Sequence, residues 1–218
     1  MSPKTISGLY AVTPQSADTQ WLYERVFAAV SGGARVVQYR NKTDDPTLRR
    51  TQAHELLKLC RDRDALFLIN DDVELALDVN ADGVHVGRDD ASVALARAIL
   101  GAGKIIGASC YDSLPLALNA QDAGADYVAF GSFYPSSVKP SAARPTIAFL
   151  RDARDRIAVR IVAIGGIDAD NALPLLEAGA DAIAVVSALF QSADTLLAAR
   201  ALSNVFIRRS TQHVERHR

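Results

Sequence analysis

The chain has 218 residues, and its 24 Lys plus Arg against 25 Asp plus Glu give a formal net charge of -1. This balance excludes a generally basic surface, so neither nucleic acid nor an anionic membrane is an expected partner. Two cysteines without CxxC spacing indicate reduced thiols, and neither a signal peptide nor a membrane-spanning run is expected from the apolar pattern. We therefore expect one soluble, cytoplasmic domain.

Short β-rich runs alternate with longer stretches of helical spacing along the chain, which is typical of repeated βα units around a parallel sheet. Strands are predicted at 9–13, 35–40, 66–69, 83–86, 104–108, 127–131, 161–164 and 182–186. Helices are predicted at 18–31, 46–61, 73–79, 91–100, 113–123, 145–154, 169–178 and 192–203. Eight such units predict a single-domain α/β fold, the (β/α)8 TIM barrel, over residues 1–204, followed by a polar, basic tail at 205–218.

A weak internal repeat supports the barrel. The segments SGGARVVQ, VNADGVHV, DAGADYVAF and EAGADAIAV each end a helix at Gly or Asn and restart a strand almost at once. Gly and Asn tolerate the left-handed conformation that closes a helix, so these segments are interpreted as turns before strands two, four, six and eight.

Polar side chains follow the second strand, in the sequence QYRNK. Alternation along an extended strand sends Gln38, Arg40 and Lys42 to one side of it. Three polar groups at a barrel mouth indicate a polar ligand, because their desolvation has to be compensated. The alternative is a solvated strand end.

Acidic side chains end the third and fourth strands, in INDD and GRDD. If these strands are parallel neighbours, Asp71 and Asp90 converge on one point. Mg²⁺ uses one or two protein carboxylates together with water and phosphate oxygens, so the pair suggests a magnesium site and a phosphorylated substrate. Helix capping by Asp71 or Asp72 is the competing interpretation, but it leaves Asp90 unexplained.

The later strand ends also carry polar groups. Ser109 and Cys110 follow strand five, where the motif contains no His or Lys to activate a nucleophile, so Ser109 is expected to make a polar contact. His85 lies within strand four and is interpreted as an interior residue rather than a metal ligand. The long loop after strand six holds Ser136, Ser137 and Lys139, which suit a diphosphate, although a stiffened surface connection is the alternative.

Strand seven ends in AIGGID, and strand eight ends in VVSALF. Gly165 and Gly166 permit close backbone approach, and Ser187 begins a predicted helix. The loops after strands seven and eight of this fold commonly form a phosphate site from free N–H groups and a helix N-terminus. We expect a phosphate group there.

Taken together, GLYAVT, VVQYRNK, INDDVELALDVNADGVHVGRDD, GASCYDS, DYVAFGSFYPSSVKP, AIGGI and VVSAL resemble the thiamine phosphate synthase family. The resemblance implies a barrel that joins hydroxymethylpyrimidine diphosphate to a thiazole phosphate and releases diphosphate. It implies that Mg²⁺ binds at Asp71 and Asp90. It implies pyrimidine diphosphate contacts from Gln38, Arg40, Lys42, Asn70, Ser109, Ser136 and Lys139, of which Arg40, Lys42, Ser109 and Lys139 are the catalytic set. It implies thiazole phosphate contacts from Gly166, Val186 and Ser187.

The chain departs from the family pattern at Arg88, where the family usually has Gln, at Val138, which replaces a hydroxyl, and at Cys110, where a His is common. Three rival functions stay open: a thiazole tautomerase, another phosphosugar barrel such as an isomerase, and a non-catalytic phosphate-binding barrel. Proton transfer needs a positioned base, so the expected lack of a His near Ser109 argues against the tautomerase. The sequence leaves the oligomeric state open, a homo-oligomer included.

Overall fold

The computed structural model describes residues 5–88, 90–135 and 144–215, with side chains described as far as residue 209. Its strands are β1 (Gly8–Val12), β2 (Ala34–Tyr39), β3 (Leu66–Asn70), β4 (Gly83–Val86), β5 (Ile105–Tyr111), β6 (Tyr127–Phe130), β7 (Arg160–Ile164) and β8 (Ala182–Val185). Its helices are α1 (Thr19–Ser31), α2 (Pro46–Asp62), α3 (Val73–Asp78), α4 (Val93–Leu100), α5 (Leu114–Asp122), α6 (Ile147–Arg156), α7 (Leu173–Glu177), α8 (Ser187–Phe190) and α9 (Thr195–Glu215).

The eight strands form one closed barrel in chain order, with every pair parallel and β8 hydrogen-bonded to β1. The predicted TIM barrel is confirmed. Side chains alternate between two buried layers, as the period of two in a strand requires. Val36 and Leu68 lie in the barrel interior, whereas Val37 and Phe67 pack between the strands and the surrounding helices.

Most helices begin where the sequence supplies a side chain that accepts a free backbone N–H. This capping group is Asp or a hydroxyl residue: Asp18, Asp45, Asp72, Ser92, Ser113 and Thr146. Such caps satisfy donors that have no partner within the helix. The helix starts therefore coincide with the points at which the chain leaves the mouth of the barrel.

The four predicted repeat turns are confirmed, since Gly33, Asn80, Gly124 and Gly179 all have positive φ. Three of the repeats also carry an aspartate at the amino-terminal end of the strands. Each carboxylate accepts a backbone N–H from the preceding strand. Asp82 accepts from Phe67 at 2.7 Å, Asp126 from Ile106 at 2.7 Å, and Asp181 from Ile161 at 2.8 Å. Each of these three strand-end aspartates therefore ties a strand to the one before it.

Several boundaries differ from the predictions. Strand β5 continues to Tyr111, so Ser109 and Cys110 lie within it rather than beyond it. Helix α7 begins four residues late, because the Asp168 carboxylate accepts the N–H groups of Asp170 and Asn171 and forms a turn instead. Helix α9 continues through residues assigned to the tail.

Helix α9 reaches Glu215, eleven residues into the predicted tail at 205–218. Val205 in this segment is buried, as is Leu202 one turn earlier. The apolar face of the helix therefore continues past residue 204, which the polar composition of the segment concealed. Within the described residues, every helix is too short or too polar to span a bilayer.

Candidate active site

The two consecutive aspartates after β3 take different roles. Asp71 has a positive φ of 66° and its N–H donates to the carbonyl of His85, which ties the β3 loop to β4. Asp72 caps α3 by accepting the N–H of Leu75 at 2.8 Å, and its other oxygen lies 3.0 Å from Arg49. Asp72 is therefore the helix cap, and the carboxylate of Asp71 is left for another partner.

The Asp71 carboxylate lies near a second carboxyl group, that of Asp90, which accepts the N–H of Gly87 at 2.7 Å. Burial raises the pKa of Asp71, the Asp90 carboxyl raises it further, and the Lys42 ammonium opposes both. Lys42 lies 3.0 Å from Asp71. Two crowded carboxyl groups that depend on a cation are a suitable donor set for a hard divalent ion.

The donor set matches magnesium better than zinc. Within the parts of the chain that the structure describes, no group of three or more His, Cys, Asp or Glu side chains could hold a metal ion. Zinc sites require three or four such ligands, whereas Mg²⁺ is held by one or two carboxylates and completes its shell with water and phosphate oxygens. Asp71 and Asp90 thus fit the predicted ion.

The end of β2 presents its side chains alternately to the two layers. Gln38 is buried in the barrel interior with 5% exposure. The N–H of Arg40 donates to the hydroxyl of Thr13 at 2.8 Å, which fixes the backbone where β2 ends. Asn41 lies on the other face, where its amide donates to Gln52. Gln38 and Asn41 therefore lie on opposite faces, and the shared side of Gln38, Arg40 and Lys42 stays a prediction.

A chain of hydrogen bonds crosses the barrel interior from β2 to β5. Gln38 Nε2 donates to the Tyr10 hydroxyl at 2.7 Å, and the hydroxyls of Tyr10 and Tyr127 are 2.8 Å apart. His85 bonds Tyr127 through Nδ1 at 2.9 Å and Ser109 through Nε2 at 2.8 Å. Tyr10, Tyr127 and His85 are all buried.

The expectation that no His lies near Ser109 is therefore wrong. Burial lowers the pKa of His85 to about 4 and raises the pKa values of Tyr10 and Tyr127, so all three are uncharged at neutral pH. His85 and Ser109 are 24 residues apart, and only closure of β4 against β5 brings them together. The alternation of side chains along the strands could have indicated this contact. It places His85 on the interior face of β4, where a polar side chain needs a buried hydrogen-bond partner.

The two other residues at the end of β5 are Cys110, which is not a reactive thiol, and Tyr111. Cys110 is buried, and burial raises the pKa of its thiol to about 12, so the reactive thiolate is scarce. Tyr111 has a φ of 55°, and its ring lies under the Arg88 guanidinium, 4.6 Å from the guanidinium carbon. This cation–π contact holds Arg88 at the rim, beside the acidic loop after β4.

The glycines after β7 make room for the neighbouring β6 loop. A side chain on Gly165 would place its Cβ 2.0 Å from Ser132 Oγ, and one on Gly166 would meet the Pro135 carbonyl oxygen at 2.4 Å. Both glycines also have positive φ, which favours glycine on backbone grounds alone. Close packing against the β6 loop therefore requires glycine at both positions.

The predicted thiazole phosphate residues lie at the ends of β7 and β8. Gly166 follows β7, and its carbonyl accepts a hydrogen bond from the Asn171 amide at 3.0 Å. Ser187 is the first residue of α8, and Val186 precedes it without a capping side chain. Asn70 is the last residue of β3. Ser136, Ser137, Val138 and Lys139 lie outside the described residues, so their roles stay predictions.

The chain is similar to known proteins over most of its length. A family model described as thiamine monophosphate synthase matches residues 9–189. The chain is 55% identical to the thiamine-phosphate synthase of Thiobacillus denitrificans over 91% of this chain and 94% of that protein. It is 53% identical to the enzyme of the same name from Chromobacterium violaceum, over 94% and 98%. A solved thiamine phosphate pyrophosphorylase from Pyrococcus furiosus is 35% identical, with a TM-score of 0.83 over 93% of this chain and 96% of that one.

Proposed function

The chain belongs to the thiamine monophosphate synthase family, and from this membership we propose that it joins hydroxymethylpyrimidine diphosphate to hydroxyethylthiazole phosphate, releasing diphosphate. It is a transferase of the thiamine-phosphate synthase class, and its partners are small-molecule substrates. The observation that supports the diphosphate chemistry is the ion pair of Lys42 with Asp71, near Asp90, on loops that follow neighbouring strands. A cytoplasmic location and a homo-oligomer are further proposals, carried over from the sequence.

In this proposal Asp71 and Asp90 hold Mg²⁺, which supplies positive charge to the departing diphosphate when it is bound. Lys42 neutralises Asp71 at 3.0 Å, and its ammonium is also within the same cluster that receives the diphosphate. Arg40 and Lys139 complete the cationic set. Charge placed where negative charge develops stabilises the transition state more than the ground state, so these cations raise the rate of bond cleavage.

The displacement is dissociative. The bond between the pyrimidine methylene carbon and the diphosphate oxygen breaks first, and the pyrimidine ring delocalises the positive charge left on the methylene. Gln38, Asn70, Ser109 and Ser136 hold the pyrimidine substrate. Gly166, Val186 and Ser187 hold the phosphate of the thiazole, whose nitrogen then attacks the methylene at close range. The buried Cys110 thiol is too weakly ionised to act as a nucleophile in this displacement.

The test is incubation with both substrates, with and without a chelator of divalent ions. Formation of thiamine phosphate and diphosphate in equal amounts, abolished by the chelator and restored by Mg²⁺, is the expected result. Diphosphate release without coupling would contradict the assignment of the thiazole phosphate as the acceptor. Binding of both substrates without product formation would support a non-catalytic barrel.

The contact between His85 and Ser109 makes a thiazole tautomerase the second candidate, because that reaction needs a positioned base. A pKa of about 4 leaves His85 a weak base at neutral pH, which disfavours it. The same incubation without pyrimidine diphosphate or metal separates the two functions, because only a tautomerase would isomerise its thiazole substrate under those conditions.

A further inference from the structure

The buried hydrogen-bond chain between Gln38 and Ser109 connects two side chains that the proposed function assigns to the pyrimidine. Its three interior members, Tyr10, Tyr127 and His85, have no assigned role. Each hydroxyl or ring nitrogen in the chain lies 2.7 to 2.9 Å from the next. Four consecutive short bonds inside a barrel allow few arrangements of the hydrogen atoms, because a buried donor without an acceptor costs stability.

The number of available hydrogen atoms determines the direction of donation along this chain, from Gln38 towards Ser109. The Gln38 amide donates to the Tyr10 oxygen, so the hydroxyl hydrogen of Tyr10 must go to Tyr127, its remaining neighbour in the chain. The hydroxyl hydrogen of Tyr127 then goes to Nδ1 of His85, and the hydrogen on Nε2 goes to Ser109. The reverse direction would bring two donors to the Tyr10 oxygen and leave its own hydrogen without an acceptor in the core.

This direction determines what the two ends offer to a ligand. The Ser109 oxygen already accepts from His85, so its own hydrogen is available to donate. The Gln38 amide nitrogen donates one of its two hydrogens to Tyr10, and its carbonyl oxygen, which makes no hydrogen bond within the described part of the chain, is left to accept one. One end is therefore a donor and the other an acceptor, and the two are coupled through the core.

We propose that Tyr10, Tyr127 and His85 are positioning residues that hold Ser109 as a donor and Gln38 as an acceptor, so that the barrel selects an aminopyrimidine over its oxo analogue. The proposal rests on the proposed function, and it adds the side chains that set its ring specificity. An aminopyrimidine carries an N–H donor on its amino group and an acceptor at the adjacent ring nitrogen. An oxo analogue reverses both, with a carbonyl acceptor and a ring N–H donor.

The size of the selectivity follows from the cost of a mismatch. An oxo analogue would direct its ring N–H at a donor and its carbonyl at an acceptor, leaving polar groups unpaired on both sides. Sites built to hydrogen-bond a polar substrate reject a mismatched analogue by about 10⁴-fold or more. If Tyr127 loses its hydroxyl, His85 can exchange its hydrogen between nitrogens and Ser109 can turn round, so the rejection weakens.

The first experiment compares kcat/KM for the amino and oxo pyrimidine diphosphates in the wild type and in Tyr127→Phe and Tyr10→Phe. We expect the preference for the amino substrate to fall by about tenfold or more in both variants, the cost of an unsatisfied buried group. Tyr39→Phe is the matched control, because Tyr39 is also buried and its hydroxyl bonds Gln52 at 2.8 Å outside this chain. The preference of Tyr39→Phe for the amino over the oxo substrate should equal that of the wild type.

An unchanged preference in folded Tyr127→Phe or Tyr10→Phe, or an equal loss in Tyr39→Phe, would overturn the proposal. Failure of the wild type to make product from the amino substrate would instead contradict the proposed function.

The second experiment needs no variant and no turnover. Nitrogen-15 NMR of the wild type should show His85 as the neutral tautomer with its hydrogen on Nε2 and a bare Nδ1. A hydrogen on Nδ1, alone or in a protonated ring, would contradict the direction of the chain whether or not the enzyme is active.

Discussion

Replacing Asp71 by Asn tests the metal site with little disturbance of the fold. Asn has nearly the shape of Asp and tolerates the left-handed backbone that Asp71 adopts, with its φ of 66°. The matched control is Asp72→Asn, one residue along, where Asn can still cap α3. The two variants remove the same charge from adjacent positions, and only one of them faces Asp90.

The structure sets the expected magnitudes. Loss of even an outer partner of a metal ligand weakens metal binding by about 10 to 100-fold, so loss of Asp71 itself should cost about 100-fold or more, or about 2.8 kcal/mol. Stability should change little. The lost ion pair with Lys42, whose side chain is 57% exposed, is worth about 0 to 1 kcal/mol, and removal of the repulsion from Asp90 offsets it.

The assay is calorimetric titration of Mg²⁺ into each protein in the presence of inorganic diphosphate, with urea unfolding as the stability control. We expect weak Mg²⁺ binding in Asp71→Asn, and binding like that of the wild type in Asp72→Asn. If Asp71→Asn binds Mg²⁺ as tightly as the wild type, or if both variants lose binding equally, the assignment of Asp71 and Asp90 is wrong.

Three further outcomes are expected. Burial lowers the pKa of His85 from 6.5 to about 4 in the folded protein. The unfolded chain therefore binds a proton at higher pH than the folded protein does, and the free energy of unfolding decreases as the pH falls from about 6.5 to about 4. This loss of about 2 kcal/mol should be seen by urea unfolding when about pH 7 is compared with about pH 4.5, and it should be absent in His85→Asn. Gly165→Ala should lower the free energy of unfolding by about 2 kcal/mol or more, because its Cβ would lie 2.0 Å from Ser132 Oγ at a φ of 103°. Gly103→Ala, with nothing within 4 Å, should change it by less than about 0.5 kcal/mol, and equal effects would contradict the packing argument. The Cys110 thiol, with its pKa raised to about 12, should resist iodoacetamide at about pH 8 in the folded protein and react after unfolding, and alkylation of the native thiol would refute its burial.

The barrel and the layer occupied by each strand residue could be predicted because both depend on local periodicity. Alternation along β2 is enough to place Gln38 with the interior residue Val36. The assignment of Asp72 as the cap of α3 needed only the position of a helix start. Predictions of this kind use information that lies within about ten residues of chain, and they were mostly correct.

The contacts that cross the barrel could not be predicted in the same way. Tyr10 and Tyr127 are 117 residues apart, and their bond depends on the curvature of the closed sheet. Gly107 is part of the reason, because a Cβ there would lie 1.9 Å from the Tyr127 ring. A strand pattern shows which way a side chain points, but not which side chain on another strand it will meet. The donor chain to Ser109 is therefore a property of the closed barrel.

The three strand-end aspartates divide the barrel into pieces that can be joined in a new order. Each carboxylate bond closes within one strand pair, β3 with β4, β5 with β6, or β7 with β8. A circular permutant that starts at β3 or β5 keeps every such bond inside contiguous chain, at small loop-closure entropy. A start between β3 and β4 would separate Asp82 from Phe67 by nearly the whole polypeptide. We therefore expect permutants of this barrel that are cut between pairs to be more stable than permutants that are cut within a pair.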